Sequence, residues 1–322
     1  MPAVTIRPFR IEDLRPVVAL WNTCLFKDPI TEERFWRLFL LDANFDPDGA
    51  LVAEAEGEIV GFLQAITRKT PLGSVGLQPQ TGWITVFFVH PDRRRQGIAS
   101  RLREAGLAFL RREGRTEVFC NGYAPYYIFP GVDVDYREGL AFLEASGFTR
   151  AGEPVAMGMP LEGVRMPEPV RACYAALQQE GCEVRMFAQE DTLALLAFAE
   201  EHFPAWQPSL REGLLRDNTE IVLATKNGQI AGFAQWQNPH NDPPDGAPGR
   251  FGPFGVRDDL RSRGIGAVIF YTLIERVAGN GARYLWFGWA GGRNVGFYER
   301  AGCRITRRFR LYKRGLEPVK NS

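Results

Sequence analysis

Apolar and polar residues follow one pattern in two separate stretches of the chain. Residues 50–63 and 221–234 are both apolar runs interrupted by a short polar turn. Runs of this kind predict two neighbouring strands with a tight connection between them. The connections are Glu56-Gly57 and Asn227-Gly228, and Asn-Gly is the strongest short signal for a hairpin. The pattern therefore predicts one β-hairpin in each half of the chain.

Two further features accompany each hairpin in the same order. A short strand and a helix start precede it, and a strand, an Arg- and Gly-rich turn and an apolar helix follow it. The features recur about 170 residues apart, which indicates an internal duplication more strongly than a coincidence among common strand-turn patterns. The matched segments are 5–14 with 184–193, and 83–99 with 249–266.

The two Arg- and Gly-rich turns are candidate binding sites for a diphosphate group. In the second turn, Gly264 and Gly266 allow the backbone to approach a ligand closely. Arg261 and Arg263 add positive charge, and the first N–H groups of the next helix point outward with the helix dipole behind them. Neither the nucleotide P-loop nor the full dinucleotide fingerprint is present. The simpler alternative is an ordinary helix start with solvated arginines.

The duplication predicts two domains of similar size with a short helix between them. Residues 154–161 have the pattern of a closing strand of the first half, and residues 170–180 that of an amphipathic helix. We therefore expect a first domain at 1–162, a linker helix at 163–182 and a second domain at 183–322.

Each half also contains a long irregular segment. Residues 238–249 are rich in Pro and Gly, which is typical of a functional lid or of a disordered loop. Residues 121–136 are the irregular segment of the first half and carry four tyrosines, more than a passive connection needs. These are Tyr123, Tyr126, Tyr127 and Tyr136.

Composition narrows the range of functions. The 322 residues carry a formal net charge of +1, so no overall field favours nucleic acid or an anionic membrane as a partner. No apolar stretch is long enough to span a bilayer, and we expect a cytoplasmic protein that is a monomer or homodimer. The five cysteines and three histidines lack disulfide or metal-ligand spacing, so we expect no metal. They are Cys24, Cys120, Cys173, Cys182, Cys303, His90, His202 and His240.

Two motifs of the second half resemble those of the GCN5-related N-acetyltransferases. Arg261-x-x-Gly264-x-Gly266 is similar to that family's motif for the pyrophosphate of coenzyme A. Residues 294–302 are similar to its next motif, an Asn followed by Phe-Tyr-Glu and a Gly. The resemblance covers nearly the whole chain as a tandem pair. It implies an α/β (α+β) fold class, with two domains that each have a mixed, mostly antiparallel, splayed sheet flanked by helices.

The resemblance implies acetyl-CoA as co-substrate, bound in the second half, which we expect to be the catalytic domain. Tyr298 falls on the family tyrosine that protonates the departing CoA thiolate. A phenol with a pKa of about 10 can donate a hydrogen bond to sulfur while it stays protonated. The alternative is that Tyr298 only packs beside Phe297. The expected cofactor-binding residues are Phe254, Val256, Arg261, Ser262, Arg263, Gly264, Ile265, Gly266, Ala267 and Asn294.

The first half departs from the family pattern at one position. Leu143 stands where the tyrosine is expected, so this half lacks that acid and is expected to be degenerate. It then binds CoA, binds the acceptor or only supports the other half. The residues of this second expected cofactor site are Val89, Arg94, Arg95, Gln96, Gly97, Ile98 and Ala99.

The sequence leaves the general base and the acceptor open. Glu201, His202 and Asp242 lie in segments that could border the cleft and are candidate bases, but their pattern is more typical of solvated surface residues. Four tryptophans of the second half suit a sugar ring or an apolar amine, and the alternative is that they form part of a core. They are Trp206, Trp236, Trp286 and Trp289.

The leading hypothesis is acetylation of a primary amine of a small molecule by direct attack on the acetyl-CoA thioester. One alternative is a catalytically silent protein that binds CoA or another protein. The other alternative is acetylation of a thiol cofactor, as in mycothiol synthase, which is also a tandem acetyltransferase. No acceptor motif in the sequence selects among these hypotheses.

Overall fold

A computed structural model describes residues 4–124, 128–238 and 249–317, which form two compact units. The strands are β1 Val4–Pro8, β2 Ala50–Ala55, β3 Glu58–Thr67, β4 Thr81–Val89, β5 Glu117–Cys120, β6 Val132–Asp133, β7 Thr149–Gly152, β8 Val155–Pro160, β9 Cys182–Met186, β10 Thr219–Lys226, β11 Gln229–Gln237, β12 Arg250–Val256, β13 Tyr284–Ala290 and β14 Arg304–Gly315. The helices are α1 Leu14–Cys24, α2 Glu32–Phe35, α3 Ile98–Arg112, α4 Arg137–Ala145, α5 Glu168–Gln179, α6 Thr192–His202, α7 Gln207–Leu214, α8 Ile265–Gly279 and α9 Arg293–Arg300.

The first unit consists of residues 1–71, 76–155 and 307–322. Its strands follow the order β1-β2-β3-β4-β5-β14, and the pair β4–β5 is parallel while the other pairs are antiparallel. Alternate side chains of the sheet enter two cores, because successive residues of a strand point to opposite faces. Helices α3 and α4 contribute to one core and α1 to the other, so the sheet is the middle layer.

The second unit consists of residues 72–75 and 156–306. Its strands follow the order β8-β13-β12-β11-β10-β9, with β12 and β13 parallel. The neighbours of β9 to β13 therefore repeat those of β1 to β5. The shared order confirms that the matched segments of the sequence are copies of one structural unit.

The two predicted hairpins are present as β2–β3 and β10–β11. Both of their turns need backbone in the left-handed region. Glu56 and Gly57 have φ values of 55° and 82°, and Asn227 and Gly228 have values of 52° and 80°. Glycine adopts this region without steric cost and Asn at little cost, so these residues determine where the chain reverses.

The terminal strands differ from the sequence-based expectation. Residues 155–160 form a buried strand, as expected, but β8 pairs with β13 in the second unit. The strand that pairs with β5 in the first unit is β14, at the end of the chain. The compact units therefore do not follow the predicted limits at 162 and 183. The two copies have similar sheets, so an apolar strand pattern alone does not determine the sheet in which a final strand pairs.

One ion pair occurs at the same place in both units. Arg7 binds Asp13 through two hydrogen bonds of 2.7 and 2.8 Å, and Arg185 binds Asp191 through two of 2.6 and 2.7 Å. Each carboxylate also accepts a backbone N–H three residues before it. These bonds fix the first strand of each copy to the helix start that follows it. The hydrogen bonds from Arg185 lower the pKa of Asp191 to about 2.

We predict that Asp191→Asn lowers the free energy of unfolding by about 1–2 kcal/mol at neutral pH, because a charge-assisted bidentate pair is lost. The pKa of Asp191 is about 2 in the folded state and about 3.9 in the unfolded state. The ion pair therefore contributes its full stability above about pH 3.9. This contribution disappears as the pH falls towards 2. Urea unfolding between pH 3 and pH 7 measures this difference.

Asp13→Asn is the matched variant in the first unit, since the equivalent hydrogen bond from Arg7 lowers the pKa of Asp13. The prediction is contradicted if the difference in unfolding free energy between wild type and Asp191→Asn stays the same as the pH is lowered.

Candidate functional site

The two Arg- and Gly-rich turns have the same backbone conformation. Arg95 and Ser262 have φ values of 60° and 63°, and Gly97 and Gly264 have values of 78° and 89°. Helices α3 and α8 begin immediately afterwards, and no side chain caps either helix. The unpaired N–H groups of a first helical turn bind anions well, and the dipole of the helix adds to this. Both turns therefore have the backbone geometry of a diphosphate loop.

Each turn is also closed by the same side chain. Arg94 Nε donates to the carbonyl oxygen of Val89 at 3.3 Å, and Arg261 Nε donates to that of Val256 at 3.1 Å. The structure thus brings together, in each copy, the end of the strand, the arginine and the glycine turn that the sequence predicts as cofactor-binding residues.

The surroundings of the two turns differ. A Cβ atom on Gly97 would meet no described atom within 4 Å, whereas a Cβ atom on Gly264 would lie 2.3 Å from Cys173 Sγ. Cys173 belongs to α5, and its Sγ lies 3.6 Å from the carbonyl oxygen of Arg263. The carboxylate of Glu180 lies 3.9 Å from the Arg263 guanidinium. Helix α5 therefore covers one side of the second turn, while the first turn is open at the equivalent point.

Before the first turn, at the end of β4, strands β4 and β5 diverge. Their parallel pairing runs from Thr81–Glu117 to Ile84–Cys120, where β5 ends. Strand β4 continues over residues 85–89, and none of the described strands pairs with it there on that side. An unpaired strand edge of this kind can bind an extended ligand through main-chain hydrogen bonds.

A cavity of about 90 Å³ lies where β4 and β5 separate. This space holds several water molecules, or the reacting end of a small ligand. Its walls come from the end of α1, the diverging strands, α4 and β14. The lining residues are Leu25, Asp28, Ile84, Val86, Phe87, Cys120, Asn121, Phe129, Gly131, Val132, Asp133, Tyr136, Gly139, Leu143, Arg307 and Phe309.

An ionic network forms one wall of this cavity. Arg307 binds both carboxylate oxygens of Asp28, and its Nε donates to Asp133 Oδ2 at 2.7 Å. Lys27 pairs with Asp133 and Asp135. Asp28 and Asp133 are buried, so loss of Arg307 would leave two buried carboxylates short of a partner, which costs about 3–5 kcal/mol. The network keeps this wall rigid.

The sequence gives no signal for the members of this network. Asp28 and Asp133 are acidic residues in loop-like segments, which are usually solvated. Their partner Arg307 lies far along the chain and reaches the first unit because β14 pairs there with β5, β6 and β7. Asp133 and Tyr136 both belong to the segment 121–136 that the sequence marks as unusual, but its pattern singles out the tyrosines and not the aspartate.

The equivalent region of the second unit contains aromatic side chains. Strands β12 and β13 pair only at Arg250–Trp286 and then diverge. Tyr298 lies 4.4 Å from Phe287 and 5.1 Å from Phe297, measured between ring centroids. Further rings around Tyr298 are those of Phe251, Phe254 and Phe270. Burial raises the pKa of Tyr298 above its usual value, so the phenol is protonated at neutral pH. Asn294 is exposed in the first turn of α9.

The other candidates of the second half are dispersed. Glu201 and His202 lie at the end of α6, with 3.7 Å between the imidazole and the carboxylate. Asp242 and most of the segment 238–249 lie outside the described residues. Trp236 is fully buried in the core, and Trp206 stacks on Phe203 at 4.7 Å. Trp286 and Trp289 lie on β13, and Trp289 is exposed.

Two features that the described residues lack are a membrane-spanning helix and a group of metal ligands. None of their helices is both long and apolar enough to cross a bilayer. Over the same ranges, no three His, Cys, Asp or Glu side chains are grouped as metal ligands.

We predict that Gly264→Ala destabilises the chain more than Gly97→Ala does. Both substitutions place a Cβ at positive φ, which costs about 1–2 kcal/mol. Only the methyl group added at position 264 meets Cys173 Sγ, and such overpacking adds about 1–3 kcal/mol. Urea unfolding of both variants measures the difference.

Cys173→Ala in the Gly264→Ala chain removes the sulfur and should recover about 1 kcal/mol or more as coupling energy. Equal losses at positions 97 and 264, or additive effects of the pair at 173 and 264, would show that α5 does not pack on the turn.

Comparison with known proteins places these features in a family. The sequence model described as "Acetyltransferase (GNAT) family" matches residues 14–125 and 187–303. An acetyltransferase of Sodalis glossinidius (strain morsitans) is 35% identical over 101 residues, which are 30% of this chain and 60% of that protein. The chain therefore covers about 60% of the length of this relative. Mycothiol acetyltransferase of Amycolatopsis mediterranei (strain U-32) is 24% identical over 267 residues, 76% of each chain.

A solved structure has the same fold over nearly the whole chain. It is described as a GCN5-related glucosamine N-acetyltransferase region of a fungal multi-domain GH3 β-N-acetylglucosaminidase. The TM-score is 0.80 at 21% identity, over 98% of this chain and 38% of that chain. The likeness confirms the expected fold class. Because the family model matches most of the chain in two separate copies, the chain belongs to the acetyltransferase (GNAT) family as a tandem member.

Proposed function

We propose that the chain transfers an acetyl group from acetyl-CoA to a primary amine of a small molecule, and that this occurs in the first unit. One observation carries the proposal. The unpaired edge of β4 at 85–89 borders a cavity where β4 and β5 diverge, and the open turn at 94–99 follows the end of the same strand. An anion-binding turn, an edge for an extended arm and a cavity for the reacting ends are what acyl-CoA transfer requires.

The residues of this unit have separate tasks in the proposal. Backbone N–H groups of residues 95–99 hold the pyrophosphate, and the edge of β4 pairs with the pantetheine arm. The amine nitrogen attacks the thioester carbonyl carbon, the C–N bond forms, the C–S bond breaks, and sulfur leaves with the electron pair. The nitrogen loses one proton and the sulfur gains one.

Direct attack agrees with the state of the cysteine in the cavity. Burial raises the pKa of the Cys120 thiol to about 12. A thiol with this pKa stays protonated near neutral pH and is a poor nucleophile. Transfer from CoA directly to the amine, without an acyl-cysteine intermediate, is therefore the route that we propose.

The second unit is the alternative location for the same reaction, because it keeps the family tyrosine, Tyr298. Two features make us favour the first unit. Cys173 lies against the second turn, whereas a Cβ atom on Gly97 of the first turn would meet no described atom within 4 Å. Each turn has a carboxylate beside one of its arginines, Glu138 at Arg94 and Glu180 near Arg263, so charge does not separate them. The rings around Tyr298 also occupy the region between β12 and β13.

The similarity to mycothiol acetyltransferase supports a second candidate acceptor, the amine of a cysteinyl amino sugar. This similarity extends over 76% of both chains, so it includes both copies, although the identity of 24% is low. A panel of small amines that contains such a compound, assayed with acetyl-CoA, separates this acceptor from other primary amines. The absence of turnover with every amine would instead favour a silent CoA-binding protein.

We predict that Gln96→Glu weakens acetyl-CoA binding by about five- to tenfold, because a carboxylate beside the pyrophosphate opposes its negative charge. Gln96 is exposed, so the substitution leaves the fold intact. Isothermal titration calorimetry gives the dissociation constant and the number of sites per chain.

Arg263→Glu is the matched variant, because Arg263 occupies the equivalent place in the second turn. Under the proposal it has a much smaller effect than Gln96→Glu. Binding that weakens strongly with Arg263→Glu and not with Gln96→Glu would locate the cofactor in the second unit and refute the proposed location.

A further inference from the structure

One face of α4 borders the cavity of the first unit. Tyr136, Gly139 and Leu143 are spaced by three and four residues, and all three line the cavity. Gly139 and Leu143 lie about one turn apart on α4, on the same face, and Tyr136 is the residue immediately before the helix. Leu143 is the position where the family has its tyrosine. A phenol therefore borders the same cavity as Leu143, at the N-terminal end of the helix instead of inside it.

The hydroxyl of this phenol has a defined orientation. Tyr136 Oη donates to Asp28 Oδ2 at 3.0 Å and accepts the backbone N–H of Lys27 at 3.2 Å. The ring also contacts Phe26 edge-on, with 5.4 Å between centroids. These contacts hold the side chain in place while it stays part-buried at the cavity wall.

Arg307 fixes the acceptor of this hydrogen bond. Its guanidinium holds both oxygens of Asp28 and also binds Asp133, so Asp28 cannot turn away from Tyr136. The arginine side chain is itself held over the ring of Phe309, with 4.9 Å between the guanidinium carbon and the ring centroid. Arg307 thus acts on the phenol through Asp28.

We propose that Tyr136 protonates the departing thiolate in the first unit, in place of the tyrosine that Leu143 replaces, and that Arg307 is a positioning residue for it. The inference rests on the proposed function. When the C–S bond breaks, the hydroxyl hydrogen of Tyr136 turns from Asp28 to the sulfur, which takes it as a proton. The proton that the amine nitrogen loses returns to the phenolate oxygen, so the products are an amide and a thiol and the tyrosine is restored.

The surroundings keep the phenol protonated until sulfur leaves. Burial and the nearby charge of Asp28 both raise the pKa of Tyr136 above its usual value. The proton is therefore present at neutral pH in the resting enzyme.

The test compares tyrosine variants of the full chain in steady-state assays with acetyl-CoA and the best amine of the panel. Tyr136→Phe should lower kcat about 100-fold, the lower range for loss of a general acid, while the dissociation constant for acetyl-CoA changes less than about twofold. Tyr123→Phe is the matched control. Tyr123 also donates to a buried carboxylate, Asp42, in the same unit, but it does not line the cavity. Its kcat should stay close to that of wild type.

A second pair of variants separates chemistry from folding. Leu143→Tyr placed in the Tyr136→Phe chain returns a phenol to the family position and should recover kcat by about tenfold or more. Arg307→Lys should lower kcat on its own, but not further in the Tyr136→Phe chain, because its effect passes through the phenol. If the reductions in kcat caused by Arg307→Lys and Tyr136→Phe multiply in the double variant, the arginine has only a structural role.

If wild type is active and Tyr136→Phe has the same kcat, the inference is overturned and the proposed function stays intact. Failure of Leu143→Tyr to recover any activity, with thermal unfolding unchanged, also overturns it. A wild type that neither binds acetyl-CoA nor acetylates any amine refutes the proposed function itself, so the two failures are distinguishable.

Discussion

The early end of β5 is the constraint on which the first unit depends. Backbone N–H and C=O groups must find hydrogen-bond partners, and a strand edge without a neighbour leaves a row of them unpaired. Pairing of β4 with β5 stops at Ile84–Cys120, so residues 85–89 present such an edge among the described strands of the unit. The same divergence opens the cavity and leaves room for α4 and the end of β14 as its walls. The edge and the cavity are thus two results of one missing stretch of strand.

The duplication explains why the two copies differ in their surroundings while they share a backbone. Both turns have a left-handed glycine before a helix, and both arginines reach the carbonyl of the preceding strand. The differences come from side chains added around this frame. Cys173 lies against Gly264, and phenylalanines surround Tyr298, so the motif that best matches the family has the more crowded environment. A retained motif is therefore weaker evidence for a binding site than the open space beside it.

Local chemistry was predictable from the sequence, and non-local pairing was not. The hairpins were predicted from turn residues that accept positive φ, and the structure confirms them. The two Arg- and Gly-rich turns have left-handed glycines where the sequence places them, and their binding of a diphosphate stays a prediction. The partner of a terminal strand is different, because two similar sheets accept similar strands, and 154–161 was expected to close the first unit. Arg307 follows from the same limitation: no pattern near residue 307 shows that its strand pairs with β5.

The position of Arg307 in the chain determines which residues the first unit needs in order to be complete. A domain that ended near residue 162, as the sequence suggests, would keep Asp28, Asp133 and Lys27 but lack the guanidinium that binds both carboxylates. Two buried carboxylates without that partner would repel each other and draw water into the wall of the cavity. The first unit is therefore complete only when the chain has been made to its last strand. The wall of the first cavity therefore depends on residues that follow the whole second copy in the sequence, as much as on Asp28 and Asp133.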